Sequence, residues 1–151
     1  MNKEETLIEI EREWQQFLDV AGGFSAEEQT TPGVVGHWNV RESLLHVAAW
    51  NGEQVTILAT YLSKGEERDY GDDEAVDRLN EDQVDEKREL TLDQVWAHLH
   101  QTHQVLLVYI SGLAEDAFRP DSYTGETIAM ESFCHYREHR EDMERFKASG
   151  Q

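Results

Sequence analysis

Three histidines in this chain have the chemistry and the spacing to close on one metal ion: His46, His135 and His139. The last two stand four apart in Phe133-Cys134-His135-Tyr136-Arg137-Glu138-His139. On a helix that separation stacks side chains on one face with their Cβ atoms roughly 5–6 Å apart, so two ring nitrogens can meet one cation. His46 is the one ionisable residue in the apolar run Leu44-Leu45-His46-Val47-Ala48-Ala49-Trp50, and burying it there costs free energy unless something pairs with it. Neutral imidazole is a good ligand for zinc, nickel, iron or copper, and three protein ligands leave coordination open for water or substrate. An ion so held acts as a Lewis acid and acidifies what binds to it. Glu42, one turn before His46, and Glu131 and Asp142, each within a turn of the histidine pair, are candidates to orient the rings. The bland alternative stays open on spacing alone: two histidines four apart are a short, nonspecific pattern, and all three rings are equally read as hydrogen-bonded core groups.

Other side chains compete for chemical roles. His103 faces inward on its helix and is a candidate fourth ligand, substrate contact, general base or hydrogen-bonded core residue. With Tyr136 it forms the candidate pair for assisting proton transfer at the ion. His98 and His100 point elsewhere and are expected to face solvent, whereas His37, before Trp38, can rim a cleft. Cys134 is turned by about a hundred degrees from His135 on a 3.6-residue helix, which suits packing better than ligation. Trp38, Trp50 and Tyr136 either line a pocket or fill the interior.

Helices must position these groups. Leu7, Ile10, Trp14, Phe17 and Ala21 form an apolar stripe over about Thr6 to Val20, and Ser25-Ala26-Glu27-Glu28 has capping-box spacing for a short turn. A second helix starts at Asn39, with Glu42 three residues on, and runs to about Ser63. The acidic stretch Lys64 to Leu90, with a helix around Ala75 to Asn80, reads as a long crossover. A third helix opens at Thr91-Leu92-Asp93-Gln94 and ends at Gly112, and a fourth covers Ile128 to Ala148. No alternating strand pattern is present, so the expected architecture is an all-α four-helix bundle spanning residues 1–151 as one domain.

The bulk properties narrow the function classes. The net charge of −19 sets up a field that repels phosphate backbones and anionic membranes, from which neither nucleic acid nor membrane is expected as a partner. A polar start, no apolar run of membrane-spanning length and a lone cysteine point to a cytoplasmic protein.

The run Gly36-His37-Trp38-Asn39-Val40-Arg41-Glu42-Ser43-Leu44-Leu45-His46-Val47-Ala48-Ala49-Trp50 resembles the helix-two signature of the DinB/YfiT-like four-helix-bundle superfamily. Asn80 in the crossover and His135-Tyr136-Arg137-Glu138-His139 on the last helix match in the same order, and the chain looks most like the ClbS/DfsB-type branch. This resemblance implies an up-down-down-up bundle in which His46, His135 and His139 bind a divalent metal, commonly zinc or nickel. It also implies stress-response or detoxification chemistry on a small electrophile, by water or by a low-molecular-weight thiol, and allows a homodimer. A carboxylate-rich thiol finds little to bind it, since Arg41, Arg137 and Arg140 are the only arginines close in sequence to the histidines. The rival expectation is a noncatalytic bundle that sequesters a small molecule or dimerises, with structural histidines.

Overall fold

The chain, described over residues 1–150 of a computed structural model, forms seven α-helices: α1 (Lys3–Gly22), α2 (Ala26–Gln29), α3 (Val40–Lys64), α4 (Asp73–Asp85), α5 (Leu92–Ser111), α6 (Tyr123–Glu131) and α7 (Phe133–Ala148). A 3-10 turn at Glu115–Phe118 precedes α6, and among the described residues there is no strand. The starts of α2, α3 and α5 were legible because each has a sequence-local cause, whereas α1 begins at Lys3, ahead of the expected start at about Thr6. Asn2 with Glu5, Ser25 with Glu28, Asn39 with Glu42 and Thr91 with Gln94 all close reciprocal capping boxes that satisfy otherwise unpaired N–H groups. Gly65 ends α3 in the left-handed region at φ 71°, where a side chain is disfavoured.

Cross-helix contacts fix the directions. Lys3 Nζ reaches the Leu113 carbonyl while Trp14 lies against His103, so α1 and α5 are antiparallel. Arg41 donates to the Leu90 carbonyl and Asn51 to Thr102, so α3 and α5 run parallel. Arg137 pairs with Glu9 and Lys147 reaches the Gly23 carbonyl, which makes α1 and α7 parallel. The order is therefore up, down, down, up. Two parallel neighbours cannot be joined by a tight turn, and the acidic stretch supplies the crossover. Its helix α4 is pinned by the buried Val84, by Trp50 Nε1 donating to Asn80 Oδ1 at 2.7 Å, and by Arg88 paired with Glu42.

One expectation is corrected. The fourth helix is not continuous from Ile128 but is two helices broken at Ser132, which has φ −116° and ψ −95°. Ser132 is fully buried and its hydroxyl donates to the Ile128 carbonyl, capturing an acceptor that a continuing helix would bond through a backbone N–H. α6 begins five residues before the expected start, capped by Ser122. Gly125 is required there, because a Cβ would lie 1.8 Å from the Arg119 carbonyl oxygen. No described helix is long and apolar enough to cross a membrane.

Candidate metal centre

His46 lies in the second turn of α3, and the antiparallel α7 brings His135 and His139 opposite it. His135 Nε2 is 3.1 Å from His46 Nε2 and 3.0 Å from His139 Nε2. The three residues form a group of ligand atoms all within 4.8 Å of one another. Each ring is more than nine-tenths buried, and each Nδ1 is a buried atom with no hydrogen-bond partner.

The electrostatics keep these rings neutral. Burial, then the nearby His139, pushes the His46 pKa down to about 3, and burial pushes that of His139 down to about 4. His135 is lowered well below the ordinary imidazole range, by burial first and then by both neighbours. Neutral rings present lone pairs, and three lone pairs aimed at one another repel unless a proton or a cation lies between them. In a tetrahedral zinc site with Zn–N of 2.0–2.1 Å, the ligand nitrogens stand about 3.3 Å apart, a few tenths of an ångström from the spacing seen here. The donor set fits a divalent ion.

The carboxylates expected to orient these rings divide. Asp142 approaches, with Oδ2 3.5 Å from His139 Nδ1, too long for a hydrogen bond, and it also pairs with Arg145. Glu42 does not serve His46: one oxygen caps α3 by accepting from the Asn39 backbone and the other pairs with Arg88. Glu131 has no ion pair or side-chain hydrogen bond among the described residues and lines a cavity beside His135. Burial, then Glu138, raises its carboxyl pKa.

Two cavities meet over the trio, sharing His46, Asn80 and His135. One, of about 450 Å³, is walled by Trp50, Tyr70, Tyr123, Met130 and Glu131. The other, of about 660 Å³, is walled by Trp38, His37, Glu138 and His139. Trp38 and Trp50 therefore line the cleft as well as filling the bundle, and His37 sits at its rim with Nε2 2.8 Å from Glu81. Arg68 and Tyr70 were missed by sequence reasoning, although Tyr70 is the one aromatic residue in the acidic crossover. That placement is a signal, since a solvated acidic segment has no other use for a phenol ring.

The structure does not bring His103 and Tyr136 to this cleft. His103 Nδ1 bonds the Tyr136 hydroxyl at 2.9 Å, and that hydroxyl donates to Asn51 Oδ1 at 2.9 Å. Trp14 stacks on the His103 ring at 3.8 Å. Tyr136 follows His135 by one position, about a hundred degrees around the helix, so it points into the bundle when His135 points at the cleft. Neither residue lines either cavity. His100 is exposed as expected, His98 is half-buried, and Cys134 is half-buried with its thiol pKa pushed up by burial.

Sequence comparison decides the family: the sequence model of the DinB superfamily matches residues 9–139. The chain belongs to the DinB superfamily. No curated protein matches this DinB-superfamily chain in sequence. Solved structures share its fold. An uncharacterised protein from Escherichia coli UTI89 superposes with TM-score 0.83 at 16% identity, covering 99% of this chain and 94% of that one. DfsB, described as a sibling lethal factor precursor, gives 0.83 at 13% identity, covering 100% and 98%. The colibactin self-resistance protein ClbS, in complex with a dsDNA, gives 0.82 at 15% identity, covering 97% and 96%.

That last structure corrects the exclusion of nucleic acid drawn from net charge, because a relative of this fold holds a duplex. Net charge is a sum over the whole molecule. Contacts to DNA are made locally, through a few side chains, backbone N–H groups and helix N-termini, and salt screens the remainder beyond roughly 8–10 Å.

Proposed function

We propose that this chain is a divalent-metal-dependent enzyme acting on a small electrophile, with His46, His135 and His139 as ligands and zinc or nickel as the ion. The observation that carries the reading is the approach of three neutral Nε2 atoms, at 3.0 and 3.1 Å, with every Nδ1 left unpartnered. The ion supplies Lewis acidity toward water or a thiol. The protein does the rest. Burial keeps the rings unprotonated at neutral pH, and α3 and α7 hold them on opposite sides of one point. Trp50 bonded to Asn80 holds α4 over the cleft and narrows the access of bulk water. His103 and Tyr136 brace the bundle instead: the chain His103–Tyr136–Asn51 links α5, α7 and α3 behind the ligand pair.

Water is favoured over a carboxylate-bearing thiol as the nucleophile. Arg68 is the single lysine or arginine in the cavity walls, and it already lies 3.9 Å from Glu53 and over the Tyr70 ring. Detoxification chemistry of the kind implied by the name of ClbS, a self-resistance protein, agrees with this reading. The test is elemental analysis of untagged wild type and His135→Ala, with turnover of epoxide and cyclopropane electrophiles followed with and without thiols. Metal near one equivalent in wild type and lost in the variant is expected; equal, negligible metal in both sinks the reading. Metal retention without histidine-dependent turnover would instead favour a sequestering module. The dsDNA held by ClbS supports a second reading, duplex contact, which a fluorescence-anisotropy titration with labelled duplex at low and high salt measures directly.

A further inference from the structure

All but one of the charged side chains in the walls of the cleft are acidic. Glu131, Glu126, Asp77 and Glu138 line the two cavities, and among the described residues none of the four is ion-paired. The cation present, Arg68, is matched by Glu53, and its Nε donates to the Tyr70 hydroxyl at 3.3 Å. A divalent ion on the histidines brings two positive charges against four unpaired carboxylates, so the cleft stays negative with the ion in place. Glu126, Asp77 and Glu138 are exposed at the rim, where water screens them; Glu131 is the half-buried one, on the inner wall beside His135. The same cavity wall carries Trp50, Tyr70, Tyr123 and Met130. At the floor, His46 and His135 line the same space, each more than nine-tenths buried and with one ring nitrogen lacking a hydrogen-bond partner.

We propose that the 450 Å³ cavity beside His46 and His135 takes an organic cation, a small molecule carrying an ammonium or similar group on an apolar body, with Glu131 as its counter-charge. A half-buried carboxylate without a partner is costly, and a cation beside it removes that cost. Aromatic walls favour the same guest, because a cation is attracted to the ring faces of Trp and Tyr. An anionic substrate meets repulsion at the rim and a second, closer repulsion at Glu131. The inference deepens the reading of this cleft as the place of reaction, by naming the charge class of what enters.

Binding tests it without turnover. Choline, its uncharged isostere 3,3-dimethylbutan-1-ol and the anion 3,3-dimethylbutanoate are titrated into wild type, with and without metal, at about 0.15 M salt so that the long-range field is screened. Choline lacks a nitrogen lone pair and so does not bind a metal through nitrogen. The readout is the Trp50 indole resonance by NMR. Expected is binding of choline about tenfold tighter than the alcohol, with the carboxylate weakest, and an approximately tenfold loss for choline in Glu131→Gln that Glu131→Asp partly restores. Glu4→Gln, an exposed acid on α1 away from the cleft, is expected to change nothing. Equal affinity for choline and alcohol, equal losses in Glu131→Gln and Glu4→Gln, or no response of Trp50 to any probe overturns the proposal. Choline binding in protein that retains no metal leaves this proposal standing and sinks the metalloenzyme reading; metal retention with no charge preference does the reverse.

Discussion

Two sets of buried histidines lie side by side in this bundle and differ in what their ring nitrogens meet. In the core, His103 is sandwiched against Trp14 and bonded to Tyr136, whose hydroxyl is bonded in turn to Asn51. At the cleft, the Nε2 atoms of His46 and His139 both approach that of His135, and Asp142 stands 3.5 Å from His139 Nδ1. His103 gives Nδ1 to a hydroxyl relay and keeps Nε2 without a partner, whereas at the cleft the ring nitrogens of three imidazoles gather and each Nδ1 is without a partner. Neither burial nor an unpartnered ring nitrogen therefore marks a functional histidine, since His103 has both; what sets the cleft apart is the gathering of three imidazoles about one point.

The comparison breaks most visibly at His135, whose nitrogen touches both others. His135→Ala is expected to lose metal affinity by more than 100-fold, on the order of 3–4 kcal/mol for one ligand of a set, measured by competition against a chromophoric chelator. Tyr136→Phe, one residue away, is expected to leave that affinity within a few fold. Removing the metal is the next largest effect. With free metal at a hundred times its dissociation constant, chelation is expected to cost about 2.7 kcal/mol and to lower the melting temperature of wild type but not of His135→Ala. Tyr136→Phe then sharpens the contrast from the other side. It strands Asn51 Oδ1 and His103 Nδ1, for an expected loss of about 1–3 kcal/mol in chemical denaturation at constant metal occupancy.

A further contrast is one of pH. Burial, then His100, pushes the His103 pKa down to about 4, against about 6.5 in the unfolded chain. Below 6.5 the unfolded state binds a proton that the folded state refuses, so stability is full above that pH and is lost as pH falls toward 4. His103→Gln is expected to flatten the slope of unfolding free energy in that window by up to about 1.4 kcal/mol per pH unit, measured on metal-free protein. An unchanged slope would mean that His103 is not held neutral by its surroundings.

The legibility of this chain follows the range of the interactions. Helix starts were readable because Asn39 with Glu42 or Thr91 with Gln94 are local capping pairs, and the all-α architecture followed from periodicity. The three candidate ligands were readable as residue types, but their meeting depends on α3 running against α7, which spacing does not encode. The break at Ser132 was hidden because apolar residues continue through it, and the capture of the Ile128 carbonyl is visible only in three dimensions. Glu42 was misassigned for the same reason. Its position one turn before His46 suited an orienting role, while a tertiary partner, Arg88, had already taken the carboxylate. His103 and Tyr136 were correctly read as facing inward, but inward in this bundle means the core rather than the cleft. The net charge misled on DNA because a sum carries no positions.

The interruption at Ser132 has a consequence for how such a scaffold diversifies. α6 contributes Tyr123, Glu126, Met130 and Glu131 to the cavity wall, while α7 carries the histidine pair, and the rotational phase of one is reset before the other begins. Mutations that slide or turn the short upstream rod need not rotate the imidazoles downstream. The cavity wall can be exchanged over generations while the histidine pair stays in place.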